Sequence, residues 1–176
     1  MHARMTDRPA ISLHRPTPAD EQRFLRAAEA SAGLHDPWYW SPRNHGEYRD
    51  YLERCATDSH DGFLIIDEES GELAGTVTVG NIVRRNFLSA HLGYAAFSPH
   101  QARGLMEAGL AAVIDEAFGG LGLHRLEANV QPANERSTAL IRKLGFRLEG
   151  HSPRYLIVDG DWRDHDRWAI VKEEWR

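Results

Sequence analysis

Cysteine is nearly absent from this chain: of 176 residues only Cys55 carries a thiol. No intrachain disulfide can be drawn, and no cysteine-based zinc site can be built. Long apolar runs are missing too, because charged residues interrupt each one well before the roughly 18 residues that a membrane-spanning helix needs. The opening stretch, Met1 to Ala10, has charges but no apolar h-region, which speaks against a secretory signal. No repeat, low-complexity tract or Pro/Gly-rich linker divides the sequence. The expectation is one soluble, cytoplasmic domain over residues 11–176 behind a tail of residues 1–10. With 41% apolar residues it has material for a core, and a domain of this size buries about 70% of its unfolded surface without covalent staples.

Several catalytic signatures are likewise missing. There is no Gly-x-Ser-x-Gly elbow for a serine hydrolase, and no helical His-x-x-x-His or His-Glu-x-x-His pair for a metal. His151 with Asp164, His165 and Asp166 reads as a solvated hairpin end, so no metal is expected.

The formal net charge of -5 is unevenly spread. Residues 15–80 hold six basic and thirteen acidic side chains, whereas residues 81–158 hold nine basic and six acidic. An acidic chain is a poor nonspecific binder of nucleic acid. One half is suited to receive an anion and the other to attract a cation.

Patterning predicts a mixed α/β domain around one sheet. A strand at Ile11 to His14 is followed by a helix that starts at Thr17-Pro18 and a second helix over Asn44 to Cys55, with Tyr48, Tyr51 and Leu52 on one stripe. A meander follows: Gly62 to Asp67, Leu73 to Ile82, and a strand around His91 to Phe97. Gly104 to Phe118 is an amphipathic helix; after it come a strand at His124 to Val130, a helix from Glu135 to Leu144, and two strands joined by the hairpin turn Asp159-Gly160.

The chemistry concentrates at Ser98-Pro99-His100-Gln101-Ala102-Arg103-Gly104-Leu105-Met106, between a strand and a helix. Such a junction presents unpaired N–H groups at the positive end of a helix dipole, and its glycine lets a phosphate come close to the backbone. It is neither a P-loop, lacking Gly-Lys-Ser/Thr, nor a dinucleotide fingerprint, lacking three spaced glycines.

This segment resembles the acetyl-CoA signature of the GNAT N-acetyltransferases, Gln/Arg-x-x-Gly-x-Gly/Ala, preceded by the strand of Gly93-Tyr94. Asn134-Glu-Arg-Ser137 and Leu144-Gly145-Phe146 resemble that family's later helix start and ending. Tyr155 to His165, with Pro37-Trp38, is similar to the ribosomal-protein-alanine N-acetyltransferase branch. The resemblance runs from about Ile11 to Trp175. It implies a single GNAT-type α/β (α+β) domain with a central mixed, mostly antiparallel, splayed sheet flanked by helices. Met106 departs from the pattern at the signature's final Gly/Ala position, which bears on the fine geometry around the phosphate.

What the resemblance implies for the residues is specific. Acetyl-CoA is the co-substrate. Its pantetheine arm would pair with the backbone of Ala95, Ala96 and Phe97. Its pyrophosphate would meet the N–H groups of Gln101, Ala102, Arg103, Gly104, Leu105 and Met106, with Asn134 among the cofactor contacts. Arg103 either forks onto a phosphate or is a solvated surface arginine. An amine attacks the thioester, so a base is needed. Glu127 is the first candidate; the alternative is a strand carboxylate paired with Arg125 or a neighbouring strand. Ser137 either donates to the leaving thiolate or, with Asn134, only caps a helix. Tyr94 and Tyr155 are back-up hydroxyl donors or, alternatively, core or rim aromatics, and Tyr155 also counts with Trp38, Tyr39 and Trp40 among the expected substrate contacts. Trp38, Tyr39 and Trp40, with Asp36, Glu47 and Asp50 nearby, either wall an acceptor groove for a cation or plug the first helix against the sheet. The acceptor is expected to be a primary amine, first of all a protein or peptide N-terminus, by resemblance a ribosomal protein's. A small amine such as an antibiotic or amino acid, or a noncatalytic acyl-CoA-binding domain, are the alternatives. No direct contact with nucleic acid or membrane is expected, and a monomer and a homodimer are equally compatible with the sequence.

Overall fold

The computed structural model describes residues 9–176. Its strands are β1 (Ile11–His14), β2 (Asp61–Asp67), β3 (Leu73–Val83), β4 (Ser89–Ala96), β5 (Arg125–Val130), β6 (Arg147–Val158) and β7 (Asp161–Val171). The helices are α1 (Glu21–Ala30), α2 (Ala32–His35), α3 (His45–Cys55), α4 (Leu105–Phe118) and α5 (Glu135–Lys143). All seven strands join one sheet in the order β1-β2-β3-β4-β5-β7-β6, antiparallel throughout except for the parallel pair β4 and β5. The mixed, mostly antiparallel sheet flanked by helices is therefore as expected; the short helix α2 is an addition that pattern reading misses. Of the expected tail, residues 1–8 lie outside the described residues.

Local chemistry accounts for the element ends. Ahead of α1 the Thr17 N–H and hydroxyl each donate to Asp20 Oδ2 at 2.8 Å, and the Asp20 N–H donates back to the Thr17 carbonyl at 3.0 Å. Asn44 caps α3 by accepting from the Glu47 N–H at 3.0 Å. Asp159 and Gly160 both have positive φ, 53° and 82°, as a two-residue hairpin turn of right-handed strands demands.

The sheet is covered on both faces where β2 lies, which is why all seven of its residues are buried. Phe63 and Ile65 join the larger core with Leu110, Val113 and Ile114 of α4. Leu64 and Ile66 join a smaller one with Phe24 of α1 and Tyr48 and Tyr51 of α3. The stripe read from α3 is thus the packed face. Ile141 of α5, with Leu144 and Phe146 just after it, extends the larger core over β5 and β7, where Arg142 stacks on Trp168 at 5.1 Å.

Candidate active site

The parallel pair is short. β4 and β5 are in register only from Ser89, Ala90 and His91 to Arg125, Leu126 and Glu127. β4 runs on to Ala96 against β3, and β5 to Val130 against β7, so the two strands part beyond the pair His91–Glu127. Their inner edges then present unpaired peptide groups to a common cleft. Buried peptide groups require partners, and an extended ligand that adds as a strand supplies them.

The backbone set expected on β4 needs correction in detail. The Phe97 N–H donates to the Ala74 carbonyl at 2.8 Å. By the alternation of an antiparallel ladder, Ala95 and Phe97 turn their peptide groups to β3, while Tyr94 and Ala96 turn theirs to the cleft. The Ala96 carbonyl is already hydrogen-bonded to Nε2 of the buried His35 at 2.9 Å. His35 comes from α2, the helix that pattern reading misses.

The anion loop lies at the mouth of the cleft. Gly104 is the N-cap of α4 and has φ of 80°, a left-handed conformation that favours glycine. Gln101 is half-buried and Ala102, Arg103 and Gly104 are exposed, whereas Leu105 is buried in the core and offers only its backbone. Met106 does not stand over the loop: its sulfur lies where a Cβ on Gly75 of β3 would be, 2.3 Å from that position. A missing side chain on β3 thus accommodates the extra bulk in the signature.

Arg103 is exposed, as its surface alternative expects, but its guanidinium is ion-paired. Its Nη1 donates to Asp67 Oδ2 at the end of β2 at 2.8 Å and its Nη2 to Glu69 Oε2 on the turn that follows at 2.9 Å. His100 is buried and reaches Glu72 of the same turn at 3.1 Å. Arg103 is therefore a brace that holds the anion loop to this turn. Burial would raise the Asp67 pKa, but hydrogen bonds from Ser70, the Glu69 N–H and Arg103 outweigh it and hold the carboxyl below its usual range.

Two hydroxyls meet on the α4–α5 side of the cleft. Tyr94 Oη and Ser137 Oγ are 2.5 Å apart, joining β4 to the first turn of α5. The capping alternatives are separated by geometry: Asn134 Oδ1 accepts from the Ser137 N–H at 3.1 Å, so Asn134 is the cap and the Ser137 hydroxyl is left for Tyr94. Burial pushes the Tyr94 pKa up to about 12, against the opposing effect of the Ser137 bond. Tyr94 therefore stays protonated near neutral pH and can donate.

Glu127 faces the other side of the sheet. Along β5 the buried residues are Leu126, Ala128 and Val130, which turn Glu127 and Asn129 to the opposite face. Glu127 accepts from Arg125 Nε at 2.9 Å and lies 3.4 Å from His91 Nε2. Arg125 also forks onto Glu149, and those bonds raise the Arg125 pKa and lower that of Glu149. The pairing expected as the alternative role of Glu127 is present, yet the carboxylate still stands at the point where the cleft begins.

The aromatic loop divides its labour. Tyr39 packs edge-on against His35 and lies beside Gly93 of β4; burial raises its pKa to about 12, so it is the plug. Trp38 is half-buried and Trp40 is 44% exposed, leaving indole surface available to a ligand. Asp36 is paired with the Arg43 guanidinium at 3.1 Å, which offsets its charge, and Glu47 accepts from the Arg43 backbone N–H at 2.7 Å. Gln131, after β5, donates to the Pro37 carbonyl at 3.2 Å and ties this loop across the cleft. Tyr155 sits on a bulge of β6 and packs by the buried His165. His151 pairs with Asp166 at 2.9 Å and Asp164 at 3.5 Å. Among the described residues no group of three His, Cys, Asp or Glu is arranged to hold a metal, and no helix is long and apolar enough to cross a membrane.

A sheet that parts between two parallel strands, with a helix N-terminus after the end of β4, is an architecture suited to an extended, anionic ligand. Comparison with known proteins agrees. The Acetyltransferase (GNAT) domain family matches residues 11–147, and the chain belongs to that family. A ribosomal protein uS5-alanine N-acetyltransferase of Escherichia coli is 37% identical over 113 residues, 64% of this chain and 58% of that protein. The match therefore spans less than two thirds of this relative's length. The probable N-acetyltransferase YjcK of Bacillus subtilis is 32% identical over 139 residues, 79% of this chain and 77% of that protein. Among solved structures, Mycobacterium smegmatis RimJ in complex with CoA-disulfide superimposes with a TM-score of 0.84 at 31% identity, covering 93% of this chain and 83% of that one. A spermidine N-acetyltransferase from Vibrio cholerae, at 19% identity and a TM-score of 0.78 over 93% of this chain and 96% of that one, shares the fold.

Proposed function

We propose that this chain transfers the acetyl group of acetyl-CoA to a primary amine, with the N-terminal amine of a protein as its acceptor. The observation that carries the reading is the cleft between β4 and β5. It has an anion-receptive loop at its mouth, a hydroxyl pair on one face and a carboxylate on the other. Pantetheine adds along the inner edge of β4, and the pyrophosphate takes the N–H groups of Gln101 to Met106.

The faces separate the two proton transfers. An ammonium must lose a proton before its nitrogen can attack the thioester carbonyl; that proton leaves through water towards the side that holds Glu127. When the tetrahedral adduct collapses, the carbon–sulfur bond breaks and the thiolate takes a proton from the Ser137–Tyr94 pair. The second amine proton makes good that loss, so the products are the amide, CoA thiol and one released proton.

An α-amine is the acceptor such a site serves best. With a pKa of about 7.7–8.0 it is partly neutral near pH 7, whereas an alkylammonium near 10.4 is almost wholly charged. Glu127, held by Arg125, supplies negative charge without demanding a strong base. The uS5-alanine relative supports the same choice. A polyamine or other small amine is the second reading, favoured by the hollow of about 510 Å³ lined by Trp40, Asp50, Glu53, Arg54 and Thr57. Release of CoA thiol with a panel of Ala-, Ser- and Met-initiated peptides and of small amines tests both. Turnover confined to small amines overturns the protein-acceptor reading, and acetyl-CoA binding without turnover reduces the chain to an acyl-CoA-binding domain.

A further inference from the structure

His91 has no role in the scheme so far, yet it occupies the last position of β4 that is paired with β5, opposite Glu127. Its Nε2 is 3.4 Å from Glu127 Oε2, while Glu127 Oε1 is fixed by Arg125 Nε at 2.9 Å. The imidazole side chain is 38% exposed and that of Glu127 23%, so water reaches both. Strand alternation places Gly93 and then Ala95 beyond His91 on the same face, and neither has a side chain large enough to obstruct the floor of the cleft. Tyr39 roofs this stretch at Gly93.

We propose that His91 is the group that takes the amine proton, through water, and that Glu127 is its positioning residue. The inference rests on the acetyltransferase reading above and refines it. With Nε2 on the Glu127 side, Nδ1 is the nitrogen left to accept a proton, and the imidazolium that forms lies beside a carboxylate. The transfer balances: the ammonium N–H breaks, Nδ1–H forms, and the proton passes to bulk water when the product leaves. Arg125, bound to both Glu127 and Glu149, holds the Glu127 carboxylate in place. The other charged or titratable groups around His91 are His60, which packs at Gly80 opposite His91 on β3, and Arg167, which pairs with Asn129 beyond Glu127. Burial and Arg54 both lower the His60 pKa, which disfavours a positive charge beside His91.

The test is the pH dependence of kcat with the best acceptor, measured on the full chain, with acetyl-CoA affinity from calorimetry as the control for folding. His91→Gln and His91→Asn are expected to lose about 10²-fold in kcat and to lose the acidic limb of the profile, with acetyl-CoA affinity unchanged. Glu127→Gln is expected to keep that limb but shift it to lower pH, because the imidazolium loses its counter-charge. Added imidazole is expected to restore turnover to His91→Ala and not to Glu127→Gln. If both His91 variants retain the limb and Glu127→Gln abolishes it, the assignment is overturned and Glu127 is the proton acceptor. A wild-type chain that binds acetyl-CoA but acetylates no amine overturns the transferase reading, and this assignment with it.

Discussion

Replacing Ser137 by alanine separates chemistry from helix capping, because a different residue does the capping. Asn134 accepts the Ser137 N–H, so Ser137→Ala leaves the start of α5 intact, while Asn134→Ala removes the cap. Loss of an N-cap costs about 1 kcal/mol. In a domain of this length each kcal/mol moves the melting temperature by about 2–4 °C. Ser137→Ala instead leaves the buried Tyr94 hydroxyl without its 2.5 Å partner, at a cost of about 1–3 kcal/mol. Tyr94→Phe in the same chain removes the orphaned group and should recover part of that loss, so the pair is less destabilised than the single changes predict. The rates should diverge more sharply. Losing the proton donor to a thiolate is expected to lower kcat by about 10²-fold or more, whereas Asn134→Ala should retain most of its rate below its melting temperature. Thermal melts and single-turnover CoA release on the three variants and the double variant decide the matter. If Ser137→Ala and Tyr94→Phe each lose no more rate than Asn134→Ala, the hydroxyl pair is a packing contact and the proton comes from elsewhere.

Gly104→Ala should lower acetyl-CoA affinity modestly, since its left-handed φ costs a side chain about 1–2 kcal/mol; Gly104→Glu should lose a further 10²-fold or so through repulsion of the pyrophosphate. Equal affinities by calorimetry would remove the anion-loop assignment. Gly75→Ala sets a Cβ 2.3 Å from Met106 Sδ and 2.8 Å from the Ala95 carbonyl, and such overpacking costs about 1–3 kcal/mol. Its melting temperature should fall and its cofactor affinity with it, with Met106→Ala restoring part of both. Acid should unfold the protein through carboxyls whose pKa is lowered in the fold, among them Asp20, Asp67 and Glu149. Their contribution is present above the ordinary carboxylate range and is lost as pH falls through the lowered values. Melting temperatures between pH 6 and pH 3 should show this, with a shallower decline in Arg103→Ala, where the brace on Asp67 is gone.

The legible parts of this protein are those governed by neighbours in sequence. Alternation in Ile11 to His14, the strand signals of Gly62 to Asp67 and His124 to Val130, the stripe of Tyr48 and Tyr51, and the Asp159-Gly160 turn each depend on a few consecutive residues, and all are found in the structure. The spacing of Gln101, Gly104, Asn134 and Ser137 was sufficient to locate the starts of α4 and α5. Other features needed contacts between distant residues. No local pattern tells that Arg103 turns to Asp67 and Glu69, 36 and 34 positions away. Nor does one tell that Gly75 makes room for Met106, or that Asn134 caps α5 and so frees Ser137 for Tyr94. Above all, the pairing of His91 with Glu127 depends on a parallel register between strands separated by a helix. The sequence alone determined the order of elements, the covered faces and the loop, because propensity and periodicity act within a few residues. The tertiary structure decided which side chains are engaged elsewhere and which remain free for chemistry, because burial and hydrogen-bond partners exist only once the sheet has closed.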